Sequence, residues 1–167
     1  MLTDEIKRYL ELSVLCWLAT VSEDGTPNVS PKEIFVPEGD RFVLIAHVAS
    51  PKSVRNIRAN PHACLSFVEV FEQRGYKLNG RARVVEPGDP DYEGRVAPLK
   101  QIATERFPVK AFIELEVLSA VPIVAPRYKL YKDTTPEAQA ARAVKVYNQR
   151  LEPYRLELGP SISIVEM

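Results

Sequence analysis

The chain has 167 residues, with 22 basic and 22 acidic side chains and so no formal net charge. That length points to one domain with room for a core, and the charge balance argues against a general nucleic-acid binder, which shows a basic excess. No uninterrupted apolar run approaches the roughly 20 residues of a membrane span, and Met1-Leu2-Thr3-Asp4-Glu5 is not the start of a signal peptide.

Residues 3–12 read as a short amphipathic helix, with Ile6 and Leu10 on one face and acids in the first turn. Residues 14–21 read as a strand, Ser22-Glu23-Asp24-Gly25 as a hairpin turn, and 28–35 as the returning strand, interrupted by Pro31. A proline there predicts an edge, a bulge, or backbone groups facing something other than a neighbouring strand. A second turn at Pro37-Glu38-Gly39-Asp40 leads into a strand at 42–46. A helix then runs from Pro51 to Asn60, capped by Ser50. Strands follow at 63–70 and, after Glu72-Gln73-Arg74-Gly75, at 76–85. Residues 90–106 read as a helix capped by Asp89, and 111–121 as a long strand. Beyond it the prolines at 122, 126 and 136 predict extended or loop-like chain. An alanine-rich helix covers 136–151 with Thr135 as cap, stopped by Pro153, and 161–165 alternate like an added edge strand. The expected architecture is mainly β (α+β): a six-stranded antiparallel barrel with peripheral helices.

Chemistry concentrates in Ser50-Pro51-Lys52-Ser53. A helix start presents free N–H groups, and here two hydroxyls and an ammonium join them, a set that suits a phosphate. Cys16 and Cys64 lie in apolar runs and read as inert thiols of a cytoplasmic protein. With two histidines, they give no zinc spacing and no metal site. His62 reads as a turn residue, Trp17 as core or subunit interface, and no Ser/His/Asp set suggests nucleophilic catalysis. No catalytic residue is assigned.

The order Cys16-Trp17-Leu18-Ala19-Thr20-Val21, Gly25-Thr26-Pro27, Ser30-Pro31-Lys32, Ser50-Pro51-Lys52, Asn56-Ile57, Asn60-Pro61 and Gly80-Arg81-Ala82 resembles the pyridoxamine 5′-phosphate oxidase-like family of FMN-binding split barrels. The resemblance covers roughly residues 3–121 and implies a six-stranded split β-barrel. It makes residues 1–121 the FMN-binding barrel and 122–167 a C-terminal extension packed on it. It further implies a homodimer with FMN in a groove at the subunit interface. Ser50, Lys52 and Ser53 would hold the phosphate. Ser30, Lys32 and Glu33 would line the flavin, Ala46 and His47 would lie beside its ring system, and Gln73 matches a glutamine that touches it. Where the oxidase itself carries arginines, this chain has Pro51 and Ser30, and Val144 and Val146 replace the arginine and tryptophan of its tail. These departures imply a small relative acting on another, unidentified small molecule as an FMN-dependent oxidoreductase. The alternatives are a flavin-binding carrier or sensor without turnover, or the same barrel holding deazaflavin F420 or haem, with His47 as the candidate axial ligand.

Overall fold

The computed structural model describes residues 1–103 and 108–158, and of 155–158 the backbone alone. The described chain falls into two compact units. One comprises Met1–Glu69 with Arg74–Val124; the other comprises Val70–Gln73 and the chain from Ala125 onward.

The first unit opens with α1 (Asp4–Leu12), where Thr3 Oγ1 accepts the Ile6 N–H at 3.3 Å and Ile6, Tyr9 and Leu10 are buried. Then come β1 (Cys16–Val21), β2 (Pro27–Lys32), β3 (Phe35–Glu38), β4 (Phe42–His47), α2 (Pro51–Ala59), β5 (His62–Glu69), β6 (Arg74–Val85), α3 (Tyr92–Ile102) and β7 (Ala111–Val124). All strand pairings are antiparallel, in the order β2-β1-β5-β6-β7-β4-β3. The edge strands β2 and β3 are therefore at opposite ends of the sheet, yet only Glu33 and Ile34 separate them in sequence. In a flat sheet the two edges would stand about 29 Å apart, whereas that link reaches about 11 Å at most. The sheet must curl until its ends nearly meet, which makes it a split barrel, and the segment from Lys32 to Phe35 crosses the split.

This crossing corrects the strand count. The run 28–35 is not one strand but two, so the described residues hold seven strands rather than six. The partner changes along it, from β1 for residues up to Lys32 to β4 from Phe35. Pro31 stands opposite Trp17 on edge strand β2, where a missing N–H is tolerated. Other differences are local. Pro37 and Glu38 belong to β3 and leave the turn to Gly39 and Asp40. Asp91, not Asp89, occupies the cap position of α3, while Asp89 Oδ2 accepts the Glu86 N–H at 2.7 Å in the preceding turn. The last residues of the helix expected to end at 106, and the strand expected at 161–165, lie outside the described residues.

Two apolar cores explain why β4 is a continuous apolar run. Val43 and Ile45 face the barrel interior with Leu18, Leu65, Phe67, Leu78, Ile113 and Leu115, closed by α1. Leu44 and Ala46 face the opposite way, onto Tyr92, Val96 and Leu99 of α3, where Tyr92 stacks on Phe112 with centroids 5.9 Å apart. A strand buried on both faces loses its polar alternation.

A charge network ties α3 to the sheet. The buried Glu114 carboxylate of β7 accepts from Arg83 Nε of β6 at 2.5 Å and pairs with Arg95 of α3. Arg95 also pairs with Glu38 of β3, and Arg83 with Asp91 at 2.8 Å. Glu114→Gln should remove the central anion and leave two guanidiniums facing an amide. Arg83 is half exposed, so the expected loss is about 2–3 kcal/mol, below the roughly 3–5 of a fully buried pair. Urea unfolding measures it; an unchanged midpoint would mean that the network adds nothing to stability.

In the second unit, Ala125 donates its N–H to the Gln73 carbonyl at 3.1 Å and the Tyr128 hydroxyl donates to the Glu72 carbonyl at 2.8 Å. It contains α4 (Pro126–Leu130), where extended or loop-like chain was expected, and α5 (Pro136–Leu158). Phe71 meets Tyr147 of α5 edge-on at 5.7 Å. Helix α5 passes through Pro153 instead of stopping there. A proline removes one backbone bond and crowds one carbonyl, which can bend a helix without ending it.

Candidate functional site

Where the barrel splits, the end of β2 and the crossing segment face the end of β4 and the loop into α2. Between them lies a cleft of about 380 Å³, lined by Ser30, Pro31, Lys32, Glu33, Ile34, Ala46, Val48, Ala49 and Ser50. The period-2 geometry of β2 puts Asn28, Ser30 and Lys32 on one side of the strand.

Lys32 is the centre of the site. It is 6% exposed. Its Nζ donates to Ser30 Oγ at 2.8 Å and to Ser50 Oγ, and the two hydroxyls lie 3.3 Å apart. Among the described residues no carboxylate pairs with it, and one of its three N–H bonds has no partner. Burial pulls its pKa below the ordinary lysine value, because a desolvated ammonium is disfavoured. Cys16, opposite Lys32 in the β1–β2 register, is fully buried, and its thiol is pushed up to about 12 by that burial. It stays protonated and inert.

The remaining expected residues divide. Ser50 occupies the N-cap position of α2, but its side chain makes no capping bond; the hydroxyl turns to Lys32 instead. Ser53 is 1% exposed and does not line the cleft; its Oγ accepts from Asn28 Nδ2 at 3.3 Å. Thr20 Oγ1 takes Asn28 Nδ2 at 3.3 Å and Asn56 Nδ2 at 3.1 Å, so a buried polar group fastens α2 to β1 and β2. Lys52 is exposed on the first turn of α2. His47 ends β4 beside the cleft wall, with a buried Nδ1 that has no hydrogen-bond partner. Burial, and next the Lys32 charge, lower its pKa, which favours neutral imidazole. Gln73 belongs to the other unit, in a turn at φ 55°. The structure thus brings together Ser30, Lys32, Glu33, Ala46 and Ser50, while His47, Lys52 and Ser53 of the same unit do not line the cleft. Sequence reasoning missed the apolar walls Pro31, Ile34, Val48 and Ala49 and the buried network of Thr20, Asn28 and Asn56. Asn56, between Val54 and Ile57 on the apolar face of α2, was a legible signal for the last.

A second depression, of about 540 Å³, lies across β1, β5, β6 and β7 and includes Thr20, His62, Cys64, Asn79 and Ser119. None of the expected cofactor residues lines it.

The cleft set is a buried ammonium with no carboxylate paired to it among the described residues, the Glu33 carboxylate, two hydroxyls, a helix start and five apolar residues. It suits a ligand that is anionic at one point and flat and apolar elsewhere. Among the described residues lining it there is no His, Cys, Met or Tyr to serve as an axial haem ligand.

Comparison with known proteins gives the lineage. The haem oxygenase HutZ of Vibrio cholerae is 34% identical over 83 residues, 50% of this chain and 46% of that protein. The pyridoxine/pyridoxamine 5′-phosphate oxidase of Rhodopseudomonas palustris is 35% identical over 74 residues, 44% of this chain and 34% of that one. The matches thus span less than half the length of these curated relatives. The crystal structure of an FMN-binding protein from Syntrophomonas wolfei superposes with a TM-score of 0.61 at 14% identity, over 71% of this chain and 84% of that one, a likeness of fold. The family model described as pyridoxamine 5′-phosphate oxidase matches residues 2–140. The chain therefore belongs to the pyridoxamine 5′-phosphate oxidase-like family, as a distant relative of the oxidase.

Proposed function

We propose that this protein binds FMN in the cleft at the barrel split and works as a flavin-dependent oxidoreductase on a small molecule, as a cytoplasmic homodimer with the flavin at the subunit interface. The observation that carries this reading is the Lys32–Ser30–Ser50 cluster beside the start of α2, a buried ammonium bonded to two hydroxyls with no carboxylate paired to it among the described residues. Family membership and the fold shared with an FMN-binding protein support it. Bound flavin would supply hydride or electron transfer. The chain's own part is to hold the anionic end through Lys32, Ser30 and Ser50 and to exclude water with Pro31, Ile34, Val48 and Ala49.

Haem is the second reading, favoured by the likeness to HutZ over half the chain. The cleft chemistry argues for flavin, because its lining offers no axial ligand, and His47 stands outside that lining. An absorbance spectrum of the purified full chain, repeated after adding FMN or hemin and desalting, separates the two. Retained flavin bands are expected; a retained Soret band with loss of flavin would overturn the FMN reading.

A further inference from the structure

We propose that Lys32 is a carbonyl-capture site, whose ε-amine forms an imine with small, flat aldehydes or ketones that enter the cleft at the barrel split. The inference concerns the cofactor-free chain; a flavin held through Lys32, as proposed above, would block the amine.

Three observations carry it. First, Lys32 is 94% removed from water yet forms part of the lining of an open cleft, so its amine is desolvated without being sealed off. Second, no carboxylate pairs with it among the described residues; its bonds go to two neutral hydroxyls. A lysine that pairs with an acid is held as ammonium, whereas one among apolar groups and hydroxyls gives up its proton more readily, as burial does here. Third, Ile34, Ala46, Val48 and Ala49 line the same cleft, which suits a flat apolar carbonyl compound and would shelter an imine from water. Lys52, by contrast, stands in water on the first turn of α2 and does not line the cleft.

The step balances without an oxidant or reductant. The free amine attacks the carbonyl carbon and a C–N bond forms. The carbonyl oxygen takes up two protons, both ultimately from the amine, and leaves as water, giving C=N. The Ser30 and Ser50 hydroxyls, already bonded to Nζ, are placed to pass those protons.

The test uses the full chain freed of small molecules, mixed with an equimolar amount of salicylaldehyde, reduced with cyanoborohydride, digested and mapped by mass spectrometry. Lys32 is expected to take label several-fold faster than any other lysine. In Lys32→Arg that label should vanish while the map of the other lysines stays the same. Label spread over exposed lysines, with Lys32 unlabelled or no faster than Lys52, would overturn the inference. A parallel sample with excess FMN addresses the cofactor reading separately. Protection of Lys32 places flavin in the cleft, and unchanged labelling places it elsewhere; the flavin-free sample alone decides the fate of the amine.

Discussion

Lys32→Met is expected to stabilise the empty protein and to weaken its hold on FMN by about ten- to a hundredfold. The affinity loss is the loss of a charge-assisted hydrogen bond, about 1.5–3 kcal/mol. The gain in stability has a different origin. Lys32 is buried without a counter-charge, and a methionine of similar length fills the space without a charge to desolvate. Ser30 and Ser50 lose their donor but lie 3.3 Å apart, so each hydroxyl keeps a partner. The two effects should run in opposite directions, which a merely structural residue would not produce.

The pH dependence follows from the direction of the shift. The folded pKa of Lys32 lies below the ordinary lysine value of 10.5, so between the two values the unfolded chain binds more protons than the folded one. Stability then rises with pH across that window. Below the folded pKa the cost of the buried charge is fully present; approaching 10.5 it is gone. The advantage of Lys32→Met in urea midpoint should therefore be largest at neutral pH and shrink toward 10.5. A constant advantage would mean that Lys32 is not buried as an ammonium. Lys52→Ala is the companion variant. If it removes FMN affinity while Lys32→Met does not, the phosphate lies over the exposed helix start and not in the cleft.

That contrast shows where the sequence was legible. The start of α2 could be read from Ser50-Pro51. Which groups meet there was not legible, because it depends on which edge of the sheet comes round to face α2. The curl brings Lys32 from β2 to Ser50, 18 residues away in sequence, and the Ser50 hydroxyl bonds the ammonium instead of capping the helix. Lys52, adjacent in sequence, points to water. The division of 28–35 was hidden for the same reason: the strand pattern is continuous, and the break appears only when the two halves pair at opposite edges. Hairpins and apolar alternation are local and could be read; the closure that creates the site is not.

Gly80→Ala is expected to be strongly destabilising for a change of one methyl group. Gly80 lies in β6, a strand paired on both sides, at the register shift between Asn79 and Gly80 against β7. A Cβ built there would sit 1.9 Å from the Glu116 carbonyl oxygen and 2.9 Å from its carbon. Those are backbone atoms of the neighbouring strand, so relief requires β6 and β7 to move apart over their bulge. The expected cost is about 2–3 kcal/mol, at the upper end of the overpacking range. Gly25→Ala provides the contrast. It stands at φ 84° in the β1–β2 turn with open space around it, so only backbone strain of about 1 kcal/mol applies. Urea unfolding of both variants should separate a collision from a strained turn. Equal losses would show that β7 yields without cost and that the glycine is not required by close approach. A bulge also bends its strand and increases local twist. The residue that lets β6 and β7 come this close therefore helps the sheet to curl far enough for Glu33 and Ile34 to bridge its two edges, and the same curl brings Lys32 to Ser50.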